Sequence, residues 1–143
     1  MFKHLLSIIV SIVLCSSIFA QKTLSDSAKI YLLTCTPGTE VWSKYGHTGI
    51  RICDPNNKID IVFNYGIFSL MEKDFYLKFI QGNTFYQLGI EPYEYFTKFY
   101  CRIGRKTYQQ ELNLTHTQKQ QVFDALLINY RPENRFYHYN FVD

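Results

Sequence analysis

Residues 45–65 constrain this chain more than any other stretch. Tyr45-Gly46-His47-Thr48-Gly49-Ile50-Arg51-Ile52 reads as a turn that delivers a histidine onto the first residues of an apolar strand. Ile50 and Ile52 alternate with Gly49 and Arg51, the period-two pattern of a strand with one buried face. Asp54-Pro55-Asn56-Asn57-Lys58 is a strong turn signal, and Ile59 to Tyr65 supplies a second strand. Two such runs joined by a turn predict a hairpin, which sets Asp60 and Asn64 on the strand beside His47. Either side chain could hydrogen-bond an imidazole and hold its tautomer, the orienting role of a third catalytic group. Plainer roles stand beside these. His47 can be a hydrogen-bonded structural residue, Asp60 a turn cap and Asn64 a strand-end bond.

The flanking sequence continues in strands and short helices. Ile30 to Thr36 is continuous and apolar enough for a central strand. Pro37-Gly38 ends it, and Thr39 is placed to cap a short helical stretch through Tyr45. Asp74 to Gln81 predicts a short amphipathic helix, with Phe75, Leu77, Phe79 and Ile80 as its apolar surface and Gly82-Asn83 as its end. Thr84 to Ile90 reads as a strand. Pro92 suits the first turn of a helix on which Tyr93, Phe96 and Tyr100 share one face. Packing is the default role of that aromatic stripe, and an acyl-chain groove is the alternative. Lys106 to Leu114 is polar enough for an edge strand. Thr115-His116-Thr117-Gln118 has the form of a capping box, opening a helix to about Tyr130 with His116 solvated in its first turn. The class this predicts is α+β, an antiparallel sheet with packed helices.

Residues 1–20 stand apart from that domain. Lys3 and His4 precede the apolar run Leu5–Leu14, and Ala20 offers a small residue for cleavage, the pattern of a secretory signal peptide. Leu14 is too large to precede a lipidated Cys15. The mature chain, 21–143, is then one small exported domain with no segment able to cross a membrane. Its aromatic content, twelve Tyr and twelve Phe in the full sequence, is enough for a sizeable core. A formal net charge of +3 is too mild to argue for nucleic acid. Cys35, Cys53 and Cys101 form no Cys-x-x-Cys spacing, so neither zinc nor thioredoxin-like chemistry is indicated. Cys35 and Cys53 read as small buried hydrophobes, and no cysteine reads as a nucleophile. No cofactor is called for.

A family resemblance runs from Ile30 nearly to the last residue. Its most specific piece is Trp42-Ser43-Lys44-Tyr45-Gly46-His47-Thr48, preceded by Leu32-Leu33-Thr34-Cys35-Thr36-Pro37-Gly38. Val62-Phe63-Asn64-Tyr65-Gly66, Phe75-Tyr76-Leu77-Lys78-Phe79 and Pro132-Glu133-Asn134-Arg135 follow in order. Together they resemble the N-terminal periplasmic domain of the Lnb-type bacterial lipoprotein N-acyltransferases. The resemblance implies a permuted papain-like fold related to NlpC-type peptidases, with the histidine on a strand and a cysteine at the start of a helix. By that match His47 is the base, and Asn64, placed beside it by the hairpin, is the candidate orienting residue. The cysteine would take an acyl group from a phospholipid and pass it to a lipoprotein N-terminus through a thioester. In the family that cysteine lies just beyond a segment resembling Tyr137-His138-Tyr139-Asn140-Phe141, and later segments span the membrane. This chain ends at Asp143, so the resemblance implies the front part of such a domain, with the base and without the nucleophile, inactive alone. A non-catalytic periplasmic binding or scaffold module is the alternative.

Overall fold

The hairpin around His47 forms the middle of a six-stranded sheet. The computed structural model describes residues 22–71 and 74–138; the signal-peptide reading of 1–20 and the aromatic end at 139–143 lie outside them. The strands are β1 (Lys29–Cys35), β2 (His47–Asp54), β3 (Ile59–Ile67), β4 (Phe85–Pro92), β5 (Thr107–Glu111) and β6 (Phe136–His138). Their order across the sheet is β5-β1-β2-β3-β4-β6, and each adjacent pair is antiparallel. The helices are α1 (Phe75–Ile80), α2 (Tyr93–Arg102) and α3 (His116–Asn129). This is the expected α+β class with an antiparallel sheet.

Strand alternation divides the core into two layers, because residues directly opposite on paired strands share a face. On one face Ile30, Ile52 and Phe63 meet Phe123 and Leu126 of α3. Phe63 and Phe123 meet edge to face, with ring centroids 6.3 Å apart. On the other face Leu33, Cys35 and Val62 meet Phe96 and Tyr100 of α2. Helix α3 starts on the expected capping box: the Gln118 amide donates to Thr115 Oγ1 at 3.3 Å, and the Thr115 amide donates to Gln118 Oε1 at 2.9 Å. β5 is an edge strand, as its polar sequence indicated.

Several local expectations need correction. The stretch after Pro37 forms only a single 3-10 turn, Val41–Ser43, entered from Glu40 rather than capped by Thr39. It is held by Gly38 N–H to Ser43 O at 2.9 Å, so one backbone bond replaces the expected side-chain cap. The strand after the hairpin turn continues past Tyr65 to Ile67, through an irregularity between Asn64 and Ile67. Phe75 and Phe79 of α1 are buried, but Leu77 and Ile80 are exposed, because so short a helix turns only one narrow face inward. His116 is not simply solvated: its Nε2 stands 3.0 Å from the Leu24 carbonyl oxygen and ties α3 to the start of the chain. Cys35 is buried as expected, whereas Cys53 is only partly so, and Cys101 is exposed.

Candidate active site

Gly46 turns the chain into β2. Its φ is +82°, and a Cβ there would stand 2.7 Å from the Cys35 carbonyl oxygen, so a side chain is excluded by both conformation and space. That turn puts His47 opposite Cys35 in the sheet register, on the face covered by α2. Two residues on, Gly49 leaves room for the helix. A Cβ there would lie 2.9 Å from Val62 Cγ1 and 3.5 Å from the Phe96 ring. Phe96 and Tyr100 therefore come down against the sheet beside the imidazole. Tyr100 stacks on the His47 ring at 5.9 Å between centroids and 17° between planes.

Asn64 stands where the hairpin was expected to bring it. Its Oδ1 lies 2.5 Å from His47 Nε2, and its Nδ2 donates to Glu91 Oε1 at 2.8 Å. A carboxylate can only accept, so the Asn64 amide must turn its NH2 toward Glu91 and its carbonyl oxygen toward the ring. The carbonyl oxygen also only accepts. Nε2 must then carry the hydrogen, and in the neutral ring Nδ1 is the basic nitrogen. Nδ1 has no hydrogen-bond partner among the described residues.

Burial holds the His47 pKa below the ordinary histidine value, with Arg105 pushing the same way, against the opposing effects of the Asn64 hydrogen bond and the Glu91 charge. The ring is consequently neutral at pH 7, the form in which it can accept a proton. Burial also pushes the Tyr100 phenol well up, so it stays uncharged. Asp60, the other orienting candidate, goes elsewhere. It forms a two-pronged bond to Arg51, Nε to Oδ1 at 2.7 Å and Nη2 to Oδ2 at 2.9 Å, beneath the Tyr93 ring. Its register partner is Cys53, which places it too far along β3 to reach the imidazole.

His47 and Asn64 open onto a cavity of about 630 Å³, in the range of small-molecule sites. Trp42, Phe68 and Phe99 supply apolar wall, while Glu91 and Arg105 supply charge. A smaller cavity of about 260 Å³ also touches Gly46 and His47 and is walled by Tyr65, Tyr86 and Tyr137. Among the described residues no cysteine hydrogen-bonds the imidazole. Cys35 Sγ instead pairs with Thr107 Oγ1 at 3.5 Å, and burial pushes its thiol pKa up. Nor is any group of three or more metal-ligating side chains placed to hold an ion, again among the described residues.

Sequence reasoning did not single out Glu91 or Arg105, and it gave Tyr100 packing as its default role with an acyl-chain groove as the alternative, not a place against the imidazole. Glu91 had one usable signal: a carboxylate near the end of an otherwise apolar strand, at a position facing inward. Arg105 had none, since only the fold brings it to Thr36.

The family model for the Lnb N-terminal periplasmic domain matches residues 17–143. Neither a curated protein nor a solved structure matches the chain.

Proposed function

The chain belongs to the Lnb N-terminal periplasmic domain family, and from that premise we propose that it is the base-bearing part of a Cys/His acyl-transfer centre. It is a periplasmic protein, and no helix among its described residues is long and apolar enough to cross a membrane. In this reading His47 removes the proton of a cysteine thiol through Nδ1. Asn64 accepts from Nε2–H and holds the ring, and Glu91 holds the amide of Asn64. The thiolate then attacks an acyl ester, the ester alcohol leaves with a proton, and the acyl group rests as a thioester until an amine takes it. A phospholipid is the proposed donor and a lipoprotein N-terminus the proposed acceptor. The permuted papain-like relationship belongs to the same proposal.

The observation that carries it is the Glu91–Asn64–His47 chain of hydrogen bonds, which commits one ring nitrogen to donating and leaves the other basic. In this reading the thiol comes from outside the described residues; what supports it is that Cys35, opposite His47 in the sheet, is paired with Thr107 and no described cysteine hydrogen-bonds the ring. The test is to continue the chain with a family-type cysteine-bearing helix and follow thiol alkylation against pH. A thiol beside His47 should react quickly below its free pKa of about 8.5. His47→Ala should restore the slow rate in a protein whose thermal unfolding shows it still folded. Equal rates with and without His47 would remove the catalytic reading. They would leave a binding module, which the open cavity favours as the second reading.

A further inference from the structure

Among the described residues Arg105 is the one cation in the wall of the 630 Å³ cavity, and its guanidinium has a buried donor without an acceptor. The guanidinium is fixed in place. Nε donates to the Thr36 carbonyl oxygen at 2.6 Å, and its carbon lies 4.8 Å from the centroid of the Tyr100 ring. The loop carrying it is pinned by Thr36 N–H to Lys106 O at 2.9 Å and Lys106 N–H to Thr36 Oγ1 at 3.0 Å. Gly38 packs against it closely, for a Cβ there would stand 3.4 Å from Arg105 Cδ and 2.4 Å from Ser43 Oγ.

What the guanidinium lacks is an acceptor for its outer edge. Glu40 and Glu91 line the same cavity, yet neither forms an ion pair with it, and Nη2 is buried with no hydrogen-bond partner among the described residues. A buried donor left unmet calls for an explanation, and a bound anion supplies one. A planar fork of N–H groups matches the paired oxygens of a phosphate. Beside the polar Ser43, Asn64 and the two carboxylates, the wall has an apolar part made by Trp42, Phe68, Leu70, Phe99 and Ile103, of which Leu70, Phe99 and Ile103 are exposed. A cation and the His47 ring within one largely apolar cavity fit an amphiphile with an anionic head and aliphatic arms.

We propose that Arg105 is the specificity-determining residue of this site, taking the phosphodiester of an acyl-bearing amphiphile while its apolar arms lie against Trp42 and Phe99. This deepens the acyl-transfer reading and rests on it for the acyl chain. The phosphate could equally come free from solution, and the experiment separates the two sources.

The chain's single tryptophan, Trp42, lies in the cavity wall and reports occupancy by its fluorescence. Three probes are titrated into the purified exported protein: monomeric dihexanoylphosphatidylglycerol, neutral dihexanoylglycerol and inorganic phosphate. The phospholipid should bind wild type at least tenfold more tightly than Arg105→Gln, with Arg105→Lys between them. Dihexanoylglycerol should not distinguish the three proteins, and the Arg105 Nε–H resonance should move only with phosphate-bearing probes. Inorganic phosphate binding as tightly as the phospholipid, and lost in Arg105→Gln, keeps the anion site and assigns it to free phosphate. Equal phospholipid binding by wild type and a folded Arg105→Gln overturns the proposal. The readout is binding, so it does not depend on thiol activation. Slow alkylation with Arg105-dependent binding removes the base and keeps the anion site, and the reverse result removes only the anion site.

Discussion

At the scale of single residues, the site turns on what each neighbour does to one imidazole. Glu91 and the Asn64 hydrogen bond favour the charged ring, while burial and Arg105 oppose it. Substitutions should therefore move the His47 titration in opposite directions. Glu91→Gln and Asn64→Ala should lower its pKa, and Arg105→Gln should raise it, as followed by the His47 ring resonances against pH. A shift of the same sign in all three would mean that repacking, and not charge, governs the ring. Asn64 was legible because a hairpin and a two-residue period fix which side chains lie side by side. The same logic offered Asp60 equally and could not choose, since the choice depends on register. Arg51 settles it, taking Asp60 with the Nε–Nη2 edge of its guanidinium. Glu91 and Arg105 were not legible because β4 pairing and the Arg105 loop join residues 27 and 69 positions apart.

At the scale of elements, β1 to β5 and α3 were readable because local signals agree with tertiary packing: alternation, turn residues and a capping box all point one way, whereas the short β6 carried no such signal. The stretch after Pro37 was misread because one backbone bond between Gly38 and Ser43 outweighed a suitable capping side chain. Two substitutions probe this level. Thr115→Ala should cost roughly 1 kcal/mol in chemical denaturation by removing the α3 cap, with no change at His47. Gly49→Ala should cost about 1–3 kcal/mol, because the new methyl meets Val62 at 2.9 Å in a packed layer. It should also disturb the ring stack, since Phe96 lies against both Gly49 and His47. A Gly49→Ala protein with wild-type stability and unshifted His47 resonances would show that α2 does not clamp the imidazole.

At the scale of the whole molecule, three separate parts of the chain converge on that ring: the hairpin supplies His47 and Asn64, β4 supplies Glu91, and α2 supplies Tyr100. Folding is thereby linked to proton binding. The folded pKa of His47 is depressed, so below the unfolded value of about 6.5 the unfolded chain binds a proton that the folded chain resists. This contribution to stability is complete above that value and is lost as pH falls from there through the folded pKa. The thermal midpoint should accordingly drop on acidification across this window, and less steeply in a folded His47→Gln protein. The same convergence sets the tautomer, on which the acyl-transfer account depends. The most direct measurement is the pair of 15N shifts of the His47 ring at pH 7. The account predicts a neutral ring with hydrogen on Nε2 and an unprotonated Nδ1. Hydrogen on Nδ1, or a charged ring at that pH, would contradict it.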